Sequence, residues 1–390
     1  MGKECGPLRL RRLRVAAGAA PWRHAPRAFC ETHRDSLEKV VFMKSDEREA
    51  ADRRRLQMAD IARMAGVSVS TVSRCLNGSP LVNAETRRRV EELAKSLNYT
   101  INLGAKSFRL QENRTVAVVV PYDRDSRQHI SDPFFLTIVG AIADVLTARG
   151  FDMLLSRVDA DHLDQAMRGV EMGKACGLLL IGQWRHHDQL NELAARHMPV
   201  VVWGAELPQQ LYCTVGGDNH AGGLLATRHL IEAGRRRIAF LGDARLPEVL
   251  HRRQGYWQAL RDAGLAPDPA LELPVSFAPA AARAPIEAFF AAHREVDAVM
   301  ACSDLLALEA VRALRAAGRS VPAEVSVTGY DDMALAAYGT PALTTVHQPV
   351  AEAAEALVDA LMQMLAGERV APLTLPVHLV VRDSSLRATG

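Results

Sequence analysis

From residue 115 onward, short and almost wholly apolar segments alternate with longer amphipathic ones, and this alternation limits the fold more than any other feature of the chain. Strands that are apolar on both faces must be covered on both faces, and amphipathic helices provide that cover. The pattern therefore predicts an α/β fold built on parallel sheets. The strand segments are TVAVVVP, FDMLLSRV, ACGLLLIG, MPVVVWG, YCTVGGD, RRIAFLGD, VDAVMACSD and EVSVTGYDD, and helical patterns cover 134–149, 219–234, 248–264, 304–318 and 350–365.

This region is large for one sheet, and its length predicts two Rossmann-like halves. In such folds a ligand binds beyond the carboxyl ends of the parallel strands. Five polar residues follow strand segments and mark these ends: Asp218, Ser303, Asp304, Asp331 and Asp332. We therefore expect a ligand site among them.

The segment GVSVSTVSRCLNG, residues 66–78, has helix signals around a poor helix sequence. Ser68 is a good N-cap and Gly78 is a good stop. Between them lie small hydroxyl and β-branched residues, which form helices poorly. A helix this weak must be held by its neighbours, so its exposed face is expected to serve another purpose than stability.

Two further short helical patterns flank this segment, MADIARMAG before it and AETRRRVEELAKSLN after it. Val72 and Leu76 can face these neighbours, with Gly66 in a tight connection, which is the helix-turn-helix arrangement. Ser68, Ser70, Thr71, Ser73 and Arg74 then remain outside. Short side chains allow a helix to enter a major groove, and arginine can bond a guanine edge twice. The alternative is an ordinary three-helix subdomain with a polar surface.

Charge is distributed unevenly along the chain. Residues 1–114 hold 23 Lys and Arg against 13 Asp and Glu, a net +10, and the remainder holds 24 against 32, a net −8. A basic front on an acidic body indicates a polyanionic partner for the front. A solvated arginine-rich tail is the alternative for residues 1–55, which show no apolar period and are predicted to be disordered.

The six cysteines have no paired spacing, which is typical of a reduced, cytoplasmic protein without a disulfide or zinc framework. No run of 18 apolar residues occurs, so no membrane association is expected. The opening LRLRRLRVAAGAAPW imitates an export leader, but its apolar part is short and interrupted.

Motifs over residues 57–384 resemble the lactose-repressor/galactose-repressor family of bacterial transcription regulators. The resemblance begins with MADIARMAGVSVSTVSRCLNGSPLVNAETRRRVEELAKSLNYT and continues through DPFF, DNHAGGLLATRHLIEAGRRRIAFLGD, RRQGY, SDLLALEAVRALRAAG, VSVTGYDDMALAAYGTPALTTVHQP and LPVHLVVRDS. It implies a helix-turn-helix DNA-binding domain at 56–100, a hinge helix or linker at 101–113, and a two-lobed core like that of periplasmic binding proteins at 114–390. That core would bind the effector and form the dimer.

The resemblance also implies which residues contact DNA. Val69, Ser70 and Arg74 would read bases, with phosphate contacts from Ser68, Thr71, Ser73 and Asn77. Asn102 marks the hinge, from which Ala105, Lys106 and the wedge residue Phe108 would enter the minor groove. Phe108 stands where the family usually has leucine, and Ile101 stands where it usually has proline before the hinge asparagine.

The effector is implied to lie between the two lobes. Arg252 of the R-x-x-G segment would clamp it with Ser303 and Asp331, and Phe134 or Phe135 would wall the pocket. The family's aspartate after the fourth strand is Gly204 here, with Trp203 beside it. Trp203 either stacks on a sugar ring or merely packs at the strand end.

Two other classes of protein fit less well. A periplasmic sugar-binding protein would lack the helix-turn-helix, and a dinucleotide-binding enzyme would show G-x-G-x-x-G after the first strand, where VAVVVPYDRDS has none. The prediction is a non-enzymatic, dimeric repressor of a carbohydrate operon that binds palindromic double-stranded operator DNA and a small effector, without cofactor or metal.

Overall fold

The computed structural model describes residues 58–76, 79, 81–97, 113–122 and 128–386. The chain forms two compact units, Met1–Ile101 and Asn102–Gly390. We call the described part of the first unit the head and that of the second unit the core, and we treat them separately.

The head consists of three helices, α1 (Met58–Ala65), α2 (Val69–Leu76) and α3 (Ala84–Ser96). Side-chain N-caps begin both later helices, at Ser68 as the sequence predicts and also at Asn83. The Oγ atom of Ser68 accepts a hydrogen bond from the Thr71 amide at 3.1 Å, and Oδ1 of Asn83 accepts one from the Thr86 amide at 2.8 Å. Each cap satisfies an amide that the helix itself leaves unpaired.

A small apolar cluster joins the three helices. Gly66, between α1 and α2, has a φ of +64°, which glycine adopts without strain. This turn brings α2 back onto α1 and α3. The buried residues of the cluster are Ile61, Ala62, Ala65, Val72, Cys75 and Val90, with Leu76, Leu93 and Leu97 packed at its edge. The predicted helix-turn-helix packing is therefore present.

The core has two lobes, each built on one six-stranded sheet. The amino-terminal lobe (N-lobe) contains β1 (Thr115–Tyr122), α4 (Pro133–Ala148), β2 (Asp152–Asp159), a 3-10 segment (Ala160–Met167), α5 (Arg168–Glu171), β3 (Gly177–Ile181), α6 (His187–Ala195), β4 (Val200–Trp203) and β5 (Cys213–Gly217). The sixth strand of its sheet is β11 (Leu373–Leu375), which comes from much later in the chain. The strand order is β11-β5-β4-β3-β1-β2, and every pairing is parallel.

The carboxy-terminal lobe (C-lobe) follows directly. It contains α7 (Asn219–Glu232), β6 (Ile238–Leu241), α8 (Pro247–Asp262), a 3-10 turn (Pro269–Leu271), β7 (Glu272–Leu273), α9 (Pro279–Ala292), β8 (Ala298–Ala301), α10 (Asp304–Ala316), β9 (Ser326–Asp331), α11 (Ala334–Tyr338) and β10 (Thr344–His347). The sixth strand of its sheet is β12 (His378–Val380). The strand order is β12-β10-β9-β8-β6-β7, and the pairings are parallel except for the antiparallel β10–β12 pair.

The end of the chain returns to both lobes. Helix α12 (Val350–Leu365) and β11 (Leu373–Leu375) join the N-lobe, and β12 (His378–Val380) joins the C-lobe. The chain thus crosses between the lobes after β5, after β10 and after β11. The resulting α/β architecture of two Rossmann-like lobes is the one that the alternating pattern predicts.

Candidate functional site

A cleft in the core brings together all six residues that the sequence proposes for the effector. The space between its lining atoms, including the part open to solvent, is about 680 Å³. Residues from both lobes line it: Gln128, Asp132, Phe134, Phe135, Gly182, Trp184, Trp203, Leu246, Glu248, Arg252, Phe277, Ser303, Leu305, Asp331 and Gln348.

Arg252 is held in the cleft by close contact between helices α7 and α8. A Cβ atom on Gly223 would lie 2.0 Å from the Arg252 carbonyl oxygen, and one on Gly255 would lie 2.1 Å from the His220 carbonyl oxygen. The glycine of the R-x-x-G segment is thus needed for helix packing. With the two helices this close, the Nε–H of Arg252 donates to Oδ1 of Asn219 at 2.8 Å, and its Nη1–H donates to the Cys302 carbonyl at 2.5 Å.

Asp331 lies at the end of β9, where the backbone has a φ of +113°. Its Oδ1 atom is 4.0 Å from Nη1 of Arg252 and accepts a hydrogen bond from Gln348 at 2.7 Å. Burial raises the pKa of Asp331 well above its ordinary value, although the Arg252 guanidinium opposes the shift. A hydrogen-bonding ligand that reaches this carboxyl meets it together with the guanidinium.

Ser303 and Asp304 have different positions although they are adjacent. Ser303 lines the cleft and caps α10, where its Oγ accepts from the Leu306 amide at 3.3 Å. Asp304 is fully buried and accepts from the Met333 amide at 2.8 Å and from Thr345 Oγ1 at 2.5 Å. Burial raises its pKa to about 7. Asp304 therefore fixes the loop after β9 and does not contact the cleft.

Aromatic rings form the apolar walls. The rings of Phe134 and Trp203 have centroids 6.0 Å apart, and those of Phe134 and Phe135 are 6.2 Å apart. Trp184 and Phe277 complete the set. Flat aromatic faces suit the apolar face of a sugar ring or another ring of similar width.

The departure from the family pattern at Gly204 has a packing reason. A Cβ atom at this position would lie 2.5 Å from the side chain of Gln183. The Gln183 amide is fully buried, donates to the Ala205 carbonyl at 2.7 Å and to the Tyr212 hydroxyl at 3.0 Å, and accepts from the Ala205 amide. Gln183 therefore occupies the space that a side chain at 204 would need.

Two further carboxyl groups line the cleft. Asp132 caps α4 by accepting from the Phe134 amide at 3.0 Å, and it also accepts from Gln128 at 2.9 Å. Glu248 lies one helical turn before Arg252 on α8. Burial raises the pKa of both carboxyl groups. Three carboxyl groups and one guanidinium thus line the cleft, which is rich in hydrogen-bonding groups.

Two lining residues that were not predicted from the sequence nevertheless have a recognisable signal in it. Glu248 precedes Arg252 by four positions, the spacing that places two side chains on one helix face. Asp132 precedes a proline at the start of a predicted helix, which marks an N-cap. Trp184 and Gln348 carry no comparable local signal, because their position depends on the loop after β3 and on a lobe crossover.

The proposed DNA-reading surface lies on α2 of the head. Ser68, Val69, Ser70 and Arg74 are exposed, whereas Thr71 and Ser73 are half-buried. The Ser68 hydroxyl lies 2.8 Å from the hydroxyls of both Ser70 and Thr71. The surface therefore presents short hydroxyl side chains and one long cation, as the sequence predicts. The other proposed DNA contacts, Asn77, Asn102, Ala105, Lys106 and Phe108, lie outside the described residues.

Every helix among the described residues is too short or too polar to span a membrane. No group of three or more His, Cys, Asp or Glu in that part of the chain is placed to hold a metal ion.

Two family models match the sequence. Residues 57–102 match the model for bacterial regulatory proteins of the lacI family, and residues 227–385 match that for a periplasmic binding protein-like domain. Among curated relatives, the HTH-type transcriptional regulator CelR of Thermobifida fusca is 35% identical over 341 residues, covering 85% of this chain and 99% of its own. The ribose operon repressor of Haemophilus influenzae is 32% identical over 336 residues, covering 84% and 98%.

Solved structures resemble most of this chain. A complex of the transcriptional regulator CelR with cellobiose has a TM-score of 0.64 at 33% identity, with 85% of this chain and 100% of that chain covered. A lac repressor dimer bound to operator and the anti-inducer ONPF has a TM-score of 0.73 at 26% identity, with the same coverage.

Proposed function

Because the chain belongs to the LacI family of bacterial regulatory proteins, we propose that it is a repressor of a carbohydrate-utilisation operon whose effector is a neutral sugar. It is a DNA-binding transcriptional regulator and not an enzyme. The head binds a palindromic operator as part of a homodimer, and the sugar binds in the cleft and releases the DNA. This activity belongs in the cytoplasm, where the DNA is.

The observation that carries the sugar proposal is the pairing of aromatic walls with buried hydrogen-bonding groups. Asp331 and Arg252 lie 4.0 Å apart at one side of the cleft, and Phe134 and Trp203 pack together within it. Carboxylate oxygens accept hydrogen bonds from vicinal hydroxyls, and a guanidinium donates to hydroxyl and ring oxygens. Aromatic faces contact the C–H face of the same ring. A neutral sugar uses both kinds of group.

The charge of the cleft favours a neutral ligand over a phosphorylated one. Asp132, Glu248 and Asp331 line it with Arg252 as the one cation among the described lining residues. A phosphate group would place a charge of about −2 next to these carboxyl groups, whose pKa values burial already raises. The relatives agree with this chemistry, since one solved neighbour holds cellobiose and one curated relative is a ribose operon repressor.

The DNA proposal depends on α2 of the head. Arg74 is the long hydrogen-bond donor on a face of short side chains, and it is exposed. Such a helix fits closely in a major groove and lets arginine bond a guanine edge. One head of this size covers too little DNA for high specificity, so two heads on two half-sites are expected.

A screen of sugars against the full chain tests the proposed effector. Cellobiose, ribose and glucose are added in a thermal-shift assay, with glucose 6-phosphate and AMP as anionic controls. A bound ligand raises the apparent stability by RT ln(1 + [L]/Kd). We expect at least one neutral sugar to raise Tm and neither anion to do so. A shift with glucose 6-phosphate or AMP alone would contradict the proposal.

A further inference from the structure

Two buried amide side chains link the charged pair of the cleft to the lobe crossovers. Asn219 stands directly after the crossover that follows β5, and Gln348 stands in the crossover that follows β10. Asn219 is 5% exposed and Gln348 is 2% exposed. A buried amide must satisfy its donors and acceptors within the protein, so its partners show what it holds in place.

Each amide bonds one member of the charged pair. The Nδ2–H of Asn219 donates to the Gly217 carbonyl at 3.0 Å, and its Oδ1 accepts from Nε–H of Arg252 at 2.8 Å. On the other side, Nε2–H of Gln348 donates to Oδ1 of Asp331 at 2.7 Å. Since Arg252 and Asp331 are 4.0 Å apart, one polar path runs from the first crossover through both charges to the second. We call Asn219 and Gln348 the amide pair.

The crossovers meet at the same place. A Cβ atom on Gly217 would lie 3.0 Å from Val377 and 3.3 Å from Oε1 of Gln348, so residues of all three crossovers approach each other there. The Asp218 amide also donates to the Leu375 carbonyl at 2.9 Å. Lobe movement in two-lobed proteins is absorbed by a few residues at such crossings. The amide pair therefore joins the charged part of the cleft to the segments that must turn when the lobes move.

We propose that Asn219 and Gln348 are positioning residues that couple occupation of the cleft to the angle between the lobes. The inference rests on the proposed function, because it takes the cleft as the effector site. A ligand that hydrogen-bonds Arg252 and Asp331 alters the two charged side chains to which the amide pair is bonded. Because the amide pair lies at two crossovers, this alteration acts on both crossovers directly. A ligand shifts an equilibrium only by its different affinity for the two states, and the amide pair supplies such a difference.

The test replaces each amide with an apolar residue of similar size, in the variants Gln348→Met and Asn219→Leu. Gln183→Met is the matched control, because the side-chain amide of Gln183 is also fully buried but its hydrogen bonds are to Ala205 and Tyr212 of the N-lobe. Cellobiose is the probe. Its affinity is measured from tryptophan fluorescence, and hydrogen–deuterium exchange of the full chain reports on peptides over 216–219, 347–351 and 375–378.

Without sugar, we expect the two variants to exchange about fivefold faster at these peptides than the wild-type protein, since each loses a hydrogen bond there. Gln183→Met should match the wild type at the crossovers. With cellobiose, the wild type should become protected at the crossovers. The variants should bind cellobiose within about tenfold of the wild-type affinity yet gain little protection.

Two results would overturn the inference. One is equal exchange of the variants and the wild type without sugar, and the other is full protection of both variants when cellobiose binds. A purely structural role predicts weaker binding with unchanged protection at saturation, which is the second result. If the wild type does not bind cellobiose, a neutral sugar that raises Tm in the thermal-shift screen replaces it as the probe, and equal exchange without sugar would still overturn the inference.

Discussion

The head and the core present their functional side chains in opposite ways. On α2 of the head, Ser68, Ser70 and Arg74 are exposed, and six buried residues support all three helices. In the core, Arg252 and Asp331 are largely buried and already bonded to Asn219 and Gln348. The head thus exposes its functional side chains to solvent, whereas the cleft holds buried groups that other residues orient in advance.

This difference separates the two functions physically. The side chains that contact DNA are exposed and lose their bound water only when the protein enters the groove. A small-molecule cleft has paid part of the desolvation during folding, so its charges depend on their neighbours. Substitutions in the head should therefore change DNA binding alone, and substitutions in the cleft should change the response to sugar alone.

The largest effect is expected from Ile61→Ala in the head. Ile61 is fully buried in a small cluster, and truncation of such a residue costs about 2–5 kcal/mol. Operator binding measured by fluorescence anisotropy should be lost, while cellobiose affinity stays the same. Met64→Ala, on the exposed side of the same helix, is the control and should change neither. Loss of sugar binding in Ile61→Ala would contradict the expectation that substitutions in the head change DNA binding alone.

The next effect concerns the stability of the core as a function of pH. Burial raises the pKa of Asp304 to about 7. At pH values between the ordinary pKa of an aspartate and 7, the folded protein therefore keeps a proton on this carboxyl group that the unfolded chain has released. The stability from this group is therefore present at low pH and is lost as pH rises through 7. Relative to Asp304→Asn, the wild type should lose up to roughly 4 kcal/mol between pH 4 and pH 8.

Urea denaturation of both proteins at several pH values checks this result. Burial lowers the pKa of His229 and His251, which favours the folded state as pH rises, but both proteins contain these groups and the difference removes them. Asp144→Asn, a substitution at an exposed position, is the control. A difference between wild type and Asp304→Asn that does not vary with pH would contradict the assignment.

Arg252→Ala should weaken sugar binding by roughly 1.5–3 kcal/mol, the usual contribution of hydrogen bonds to a charged group. Operator affinity without sugar should remain close to that of the wild type, since the substituted residue belongs to the core. Calorimetry with cellobiose measures the first quantity and anisotropy the second. Arg253→Ala is the matched control, because Arg253 stacks on Trp257 and pairs with Glu272 instead of lining the cleft.

The smallest expected effect is that of Arg74→Ala, roughly 1–3 kcal/mol at the cognate operator and much less on random duplexes. Arg63→Ala, another exposed arginine of the head, provides the comparison for a general loss of charge. Both proteins are titrated with both duplexes at several salt concentrations. Equal losses on cognate and random DNA would show that Arg74 contacts phosphate and does not read bases.

How far the sequence sufficed differs between the same two regions. In the head, caps and apolar spacing are local, and they predict all three helices and the exposed residues of α2. In the core, eight strands are predicted from their apolar runs. The four-residue strand β10 is not among them, and β7, β11 and β12 have only two or three residues each and give no pattern. Helix α9 begins with Pro279 and contains Pro285, and because proline inside a segment argues against a helix, this helix was not predicted.

The cleft shows the same limit. Arg252, Ser303 and Asp331 follow from motif resemblance, and the structure brings them together. Asn219 and Gln348 could not be predicted, since their partners lie 33 and 17 positions away along the chain. Such contacts are created by the crossing of the lobes and leave no periodic signal in the sequence.

The most direct test is a titration of the full chain with an operator selected from randomised palindromic duplexes, with and without cellobiose. We predict that the wild type binds this DNA and releases it when the sugar is added. Arg252→Ala should bind DNA equally well and fail to release it at the wild-type sugar concentration. Release by Arg252→Ala at that concentration would contradict the placement of the effector in the cleft.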